Sequence, residues 1–189
     1  ECTGERNVAI QVGSNATVSI SSSTIKGTFA GIGSYFTGGN VIINSGTISG
    51  GDFGINCSGV SQNITINWGV VEATAEDGKG VAFGNTGTLT IGKSTDGLNT
   101  GLPHIKGGKY AISGREDYKA VNFYNGMLTG GTDRLINECL ITGVRGSYMV
   151  HLDNTTSTTE HSAYLVKVDT SSNIPVAEIG DVKYHTMQS

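Results

Sequence analysis

Val41-Ile42-Ile43-Asn44-Ser45-Gly46-Thr47-Ile48-Ser49-Gly50 is answered, 23 residues on, by Ile64-Thr65-Ile66-Asn67-Trp68-Gly69-Val70-Val71-Glu72-Ala73. Each segment opens on an alternating triplet, turns at a Gly and resumes with a second short apolar run. Ahead of each stands a third piece, Ala30-Gly31-Ile32 and Phe53-Gly54-Ile55, whose Ile falls nine residues before Val41 and Ile64. Strands of period 2 recurring at a fixed interval in the low twenties, with Gly at the corners, are the signature of a parallel β-helix. One coil cannot bury its own apolar face, so coils must stack.

Working outward from this pair, the triplet recurs as Val18-Ser19-Ile20, Leu89-Thr90-Ile91 and Val121-Asn122-Phe123, giving spacings of 23, 23, 25 and 32 residues. Ile112 again falls nine residues before Val121, and a strand after the corner repeats at Thr24-Ile25-Lys26 and Met127-Leu128-Thr129. Three strands per coil predict a triangular cross-section with inward ladders such as Val18, Val41, Ile64, Leu89 and Val121. The rule for crossovers between parallel strands predicts a right-handed path. The expected fold is all-β: a right-handed parallel β-helix of about five coils of about 23 residues over 1–152, with a small antiparallel segment over 153–189.

The coil ending at Val121 is nine residues longer than its predecessors, and the excess falls in Lys93 to Pro103, where Gly, Asn, Asp and Pro cluster. That composition predicts a loop projecting from a corner, a place where solenoids often carry binding residues. After Gly130 the pattern weakens; Leu135-Ile136, Cys139-Leu140-Ile141 and Tyr148 to Leu152 are expected to form the last coil and its cover. Asn154 to Glu160 reads as a polar loop, Ala163 to Val168 as a strand, and Val176 to Tyr184 as strand, Gly-Asp turn, strand.

Composition agrees with this and excludes several classes. Gly is 29 of 189 residues and Pro only 2, while charged residues are 15%. The recurring Val and Ile separate this Gly-rich chain from a disordered one. A net charge of −4 without a Lys/Arg cluster argues against nucleic acid. No apolar run reaches membrane-spanning length. Cys2, Cys57 and Cys139 lie far apart without a CxxC, which argues against zinc and leaves the disulfide state and compartment open. His104, His151, His161 and His185 show no ligand spacing, so no metal or other cofactor is expected. Four N-x-S/T sequons begin at Asn15, Asn56, Asn63 and Asn154, as a Ser/Thr-rich chain often has by chance.

The acids that a polysaccharide-cleaving β-helix would use are Asp52, Asp77, Asp117 and Asp133. All four stand beside Gly or at coil corners, where turn geometry accounts for them, so no enzyme is expected. Asn44 and Asn67 share an outward row and are expected to stack as an amide ladder. Cys57, two residues after Ile55, reads as a buried filler. Trp68 is the odd member of a corner column otherwise made of Ser22, Ser45 and Asn125. It serves either as a cover over the neighbouring coil or, with Tyr124 and the loop residues Asp96 and Asn99, as a sugar-stacking or contact surface.

The end of the chain, Ile179-Gly180-Asp181-Val182-Lys183-Tyr184-His185-Thr186-Met187-Gln188, is similar to the opening of repeated β-helix modules in large cell-surface proteins of gut and other host-associated bacteria. In those modules an IGD-x-x-Y-x-T-x-Q strand leads into a capping helix. Tyr110 to Ser113 followed by Val121 to Gly126, and later Ala163 to Val166, resemble the same modules. The resemblance implies an extracellular stalk, adhesin or filament module. Neither Glu1 to Val8 nor the tail offers an amphipathic cap helix, so neighbouring copies or modules are the expected partners. Glu1 in place of Met, and the end at Ser189, suggest a processed product or a piece of something longer. A glycan- or host-ligand-binding module is the alternative.

Overall fold

The computed structural model describes residues 6–36, 38–58, 62–84, 87–114, 119–131, 135–153, 159–167, 177–179 and 182–184. Among them every regular element is a strand. The first coil is β1 (Val8–Val12), β2 (Thr17–Ile20) and β3 (Ser23–Lys26); the second is β4 (Ala30–Ser34), β5 (Asn40–Ile43) and β6 (Gly46–Gly50). The third is β7 (Phe53–Cys57), β8 (Asn63–Ile66) and β9 (Val70–Ala73), and the fourth β10 (Lys79–Phe83), β11 (Leu89–Ile91) and β12 (His104–Lys106). The fifth is β13 (Tyr110–Ser113), β14 (Lys119–Phe123) and β15 (Met127–Gly131). A sixth begins with β16 (Ile136–Asn137) and β17 (Cys139–Val144). It is not completed as a parallel coil.

Like strands stack into three sheets: sheet A in the order β1-β4-β7-β10-β13-β16, sheet B from β2 to β17, and sheet C from β3 through β15. Every contact between coils in sheets A and B, and from β3 to β15 in sheet C, is parallel. The register repeats the sequence alignment: Val18, Val41, Ile64, Leu89 and Val121 pair in succession. A second ladder runs through Ile10, Ile32, Ile55, Val81, Ile112 and Ile136, and a third through Ile25, Ile48, Val71, Ile105 and Leu128. From the second coil to the fifth these side chains are fully buried. At roughly 1.5–3 kcal/mol for each aliphatic side chain removed from water, the ladders are the main source of stability.

Corners are made by backbone as much as by side chains. Gly46, Gly69 and Gly126 have φ of +104°, +91° and +97°, and a Cβ at Gly69 would run into the carbonyl of Gly46 one coil below. Only Gly fits both the angle and the approach. Beside the corner, Asn67 Nδ2 donates to Asn44 Oδ1 at 2.9 Å, which is the expected amide ladder.

The fourth coil holds two strands whose aliphatic members escaped the sequence pattern. Val81 lies ten residues after Val71, where Ile55 lies seven after Ile48, because the turn at Thr74–Gly78 is longer. Ile105 follows the inserted loop. Both strands nevertheless take their place in register.

Beyond β15 the topology changes. β18 (Tyr148–Asp153) and β19 (Glu160–Lys167) join sheet C, β19 pairing antiparallel with β15 and β18 antiparallel with β19. Leu165 and Ala163 are buried there and close the core from that side. β20 (Ala177–Ile179) and β21 (Val182–Tyr184) form an antiparallel pair, as the sequence predicts; Gly180 and Asp181, read from the sequence as the turn between them, lie outside the described residues. No helix among the described residues is long and apolar enough to cross a membrane.

Candidate functional site

Sheet A carries the most developed surface. Its register sets Phe53, Lys79 and Tyr110 in one row across β7, β10 and β13. Phe29 stands at the turn before β4, where its carbonyl accepts the backbone N–H of Asp52 and of Phe53, each at 3.0 Å. The longer Thr74–Gly78 turn carries Ala75 and Asp77 to the rim. Together these residues line an open concavity of about 780 Å³ that reaches from Arg6, just before β1, to Asn137 and Glu138 at the sixth coil. Six stacked strands at roughly 4.8 Å per step make this a trough about 24 Å long, parallel to the solenoid axis.

Rings and cations are interleaved along it. Phe29 and Phe53 meet edge to face with centroids 5.3 Å apart and planes at 72°. The Arg6 guanidinium lies 4.6 Å from the Phe29 centroid, Lys79 Nζ 5.7 Å from Phe53 and Lys109 Nζ 5.6 Å from Tyr110. Lys109 Nζ also stands 3.7 Å from the exposed Asp77 carboxylate. Contacts of this exposed kind contribute no more than about 1 kcal/mol each, so the cations leave the rings easily. Asp52 and Asn56 add an acceptor and an amide to the same trough. The arrangement offers ring faces, hydrogen-bonding groups and both signs of charge within one linear surface.

The residues expected from the sequence to contact a ligand, Trp68, Tyr124, Asp96 and Asn99, stand elsewhere. Trp68 is 37% exposed at the corner between β8 and β9. Tyr124 follows β14 two coils along, and the Lys93–Pro103 loop occupies the intervening coil. That loop is tied to the body. Buried Asn125 accepts the Asn99 N–H at 2.6 Å and donates to the Gly97 carbonyl at 2.8 Å, while Gly126 N–H donates to the Asn99 carbonyl at 2.8 Å. Arg145 Nη2 donates to the Ser94 carbonyl at 2.6 Å and also to that of Asp96. The Asn99 side chain accepts the N–H groups of Gly101 and Leu102 at 2.8 and 3.0 Å, which makes it a turn-former. Asp96 is exposed, its carbonyl held by Arg145.

Of the four acids considered for catalysis, Asp52 and Asp77 border the sheet A trough, and Asp117 and Asp133 lie outside the described residues. The register alone did not bring the first two together, because Asp77 sits in the lengthened turn. On sheet C, His104 Nε2 and Thr129 Oγ1 are hydrogen-bonded at 2.8 Å, and Thr129 Oγ1 lies 3.2 Å from Ser162 Oγ. Burial pushes the His104 imidazole below its ordinary pKa, helped by Lys106 and opposed by Glu160 and Glu72. Cys57 and Cys139 are buried free thiols, each pushed up to about 12 by burial. Hydrogen bonding to the backbone, at Ser34 for Cys57 and at Gly114 for Cys139, opposes this, and the Glu138 charge adds to it at Cys139. Such thiols are packing groups rather than nucleophiles. Cys2 and His185 lie outside the described residues. Among the described residues no three His, Cys, Asp or Glu side chains gather as metal ligands.

The sequence contained a signal for the trough that the strand pattern passed over: Phe53 and Tyr110 each stand two residues before a ladder isoleucine, Ile55 and Ile112. Lys79 precedes Val81 by the same interval, but Val81 was hidden by the long turn. Comparison of the chain with known protein families, with curated proteins and with solved structures finds no match.

Proposed function

We propose that the chain is an extracellular structural and adhesive module that continues its solenoid by associating end to end with a neighbouring copy or module. The observation that carries this is the state of the first coil. Ile10, Val18 and Ile25 are only partly buried, although their ladder partners Ile32, Val41 and Ile48 are fully buried one coil higher. Among the described residues, no strand pairs with the outer edges of β1, β2 or β3.

An open sheet edge invites another chain, and here it is backed by an aliphatic interior that is only partly covered at Ile10, Val18 and Ile25, although Val12 and Ile20 are already buried. Only a partner that presents three short strands around its own apolar ladders meets both needs, and another β-solenoid end is such a partner. The far end differs: sheets A and B stop at β16 and β17, and sheet C stops at the antiparallel β18. Leu140, Val144 and Leu152 are exposed there. Unlike ends favour head-to-tail contact, which propagates into filaments when the operation does not close. The likeness of the C-terminal sequence to bacterial cell-surface β-helix modules supports the same reading and its extracellular location. It assigns no catalysis.

Sedimentation of the chain over a wide concentration range tests it. The expected result is a mass that rises above the monomer with concentration and returns to the monomer in Val18→Lys. A monomer at every concentration contradicts the proposal.

A further inference from the structure

We infer that the sheet A trough binds an extended carbohydrate chain lying along the solenoid axis. Its floor is a sheet whose interior strands are paired on both sides, so a peptide cannot add as a further strand. What remains on offer is side chains. A sugar ring has an apolar face of C–H groups and a rim of hydroxyls, and Phe53 and Tyr110 supply faces while Asp52 and Asn56 supply partners for the rim. The trough is linear and shallow, which suits a chain threaded across coils and not a compact ligand. Lys79 and Lys109 rest on the rings through weak contacts. They swing aside when a sugar stacks and then face its carboxylate if the sugar is a uronate.

This site is on a different face from Trp68 and the Lys93–Pro103 loop, and the inference does not rest on end-to-end association. Calorimetric titration of the full chain with two series of oligosaccharides of increasing length, neutral β-1,4-glucans and polygalacturonates, tests it. Affinity is expected to rise with length until roughly five rings span the trough at about one ring per coil. The uronates are expected to bind more tightly, with the preference lost in Lys79→Ala.

Phe53→Ala is expected to weaken binding about tenfold, the loss of one stacking face. Tyr110→Ala provides an independent variant should Phe53→Ala unfold, as thermal melting would reveal. Trp68→Ala and Val18→Lys are expected to bind as the parent does, so failure of association and failure of binding are read separately. The inference is overturned by no binding in either series, by affinity indifferent to length, by folded Phe53→Ala and Tyr110→Ala variants that both bind unchanged, or by loss of binding in Trp68→Ala.

Discussion

Two buried thiols and one half-buried imidazole carry distinct consequences at the scale of single residues. Cys57 and Cys139 have folded-state pKa values near 12 against 9.0 for a free thiol, so the folded chain holds its protons where the unfolded chain has released them. Their contribution to stability is complete below pH 9.0 and is lost as pH climbs toward about 12. Mass mapping after treatment with a thiol reagent at neutral pH is expected to find both unlabelled in the folded chain and both labelled in denaturant. His104 has the opposite sign. Its folded pKa lies below 6.5, so the folded state favours the neutral ring and stability falls as pH drops below that value. NMR titration is expected to place the His104 midpoint below that of His104 in the denatured chain. A midpoint at or above it would contradict the burial described for sheet C.

At the scale of the element, the unit is the ladder rung, and the cost of removing one depends on its position. Ile55→Ala, in the third coil and fully buried, is expected to cost about 2–5 kcal/mol of stability by chemical denaturation. Ile10→Ala, on the same ladder but half-covered at the first coil, is expected to cost clearly less. Equal losses would contradict the gradient of burial. Gly69→Ala meets both a φ of +91° and the carbonyl of Gly46, and is expected to cost more than about 1 kcal/mol. Asn125→Ala removes the loop's principal anchor, and limited proteolysis is expected to cut within Lys93–Pro103 faster than in the parent chain.

These elements also mark how far the sequence could be read. The ladders through Val41, Ile64 and Val121 were legible because the strand period and the coil period are both set by inward packing, which leaves its mark on residue type. The β10 and β12 strands were not, since a lengthened turn and an inserted loop displaced Val81 and Ile105 from the common offset without changing their place in the stack. The trough was harder still. Outward residues answer to no packing rule, so Phe53, Lys79 and Tyr110 became neighbours only once the register was known. The loop over Lys93 to Pro103 was placed correctly by composition, but its anchors, Asn125 and Arg145, are distant in sequence and carry no local signature.

At the scale of the whole molecule, the two ends of the solenoid differ. A solenoid is nearly one-dimensional, each coil stabilised by its neighbours, so a terminal coil lacking one neighbour is the least stable part and the most ready to gain from a partner. The antiparallel β18–β19 pair relieves this at one end by covering sheet C. The first coil has no equivalent among the described residues. Hydrogen exchange measured at several protein concentrations reads that difference directly. Amides of β1, β2 and β3 that point away from the second coil are predicted to gain protection as concentration rises, while those of β5 and β8 stay constant. Exchange in β1, β2 and β3 that is independent of concentration would contradict end-to-end association.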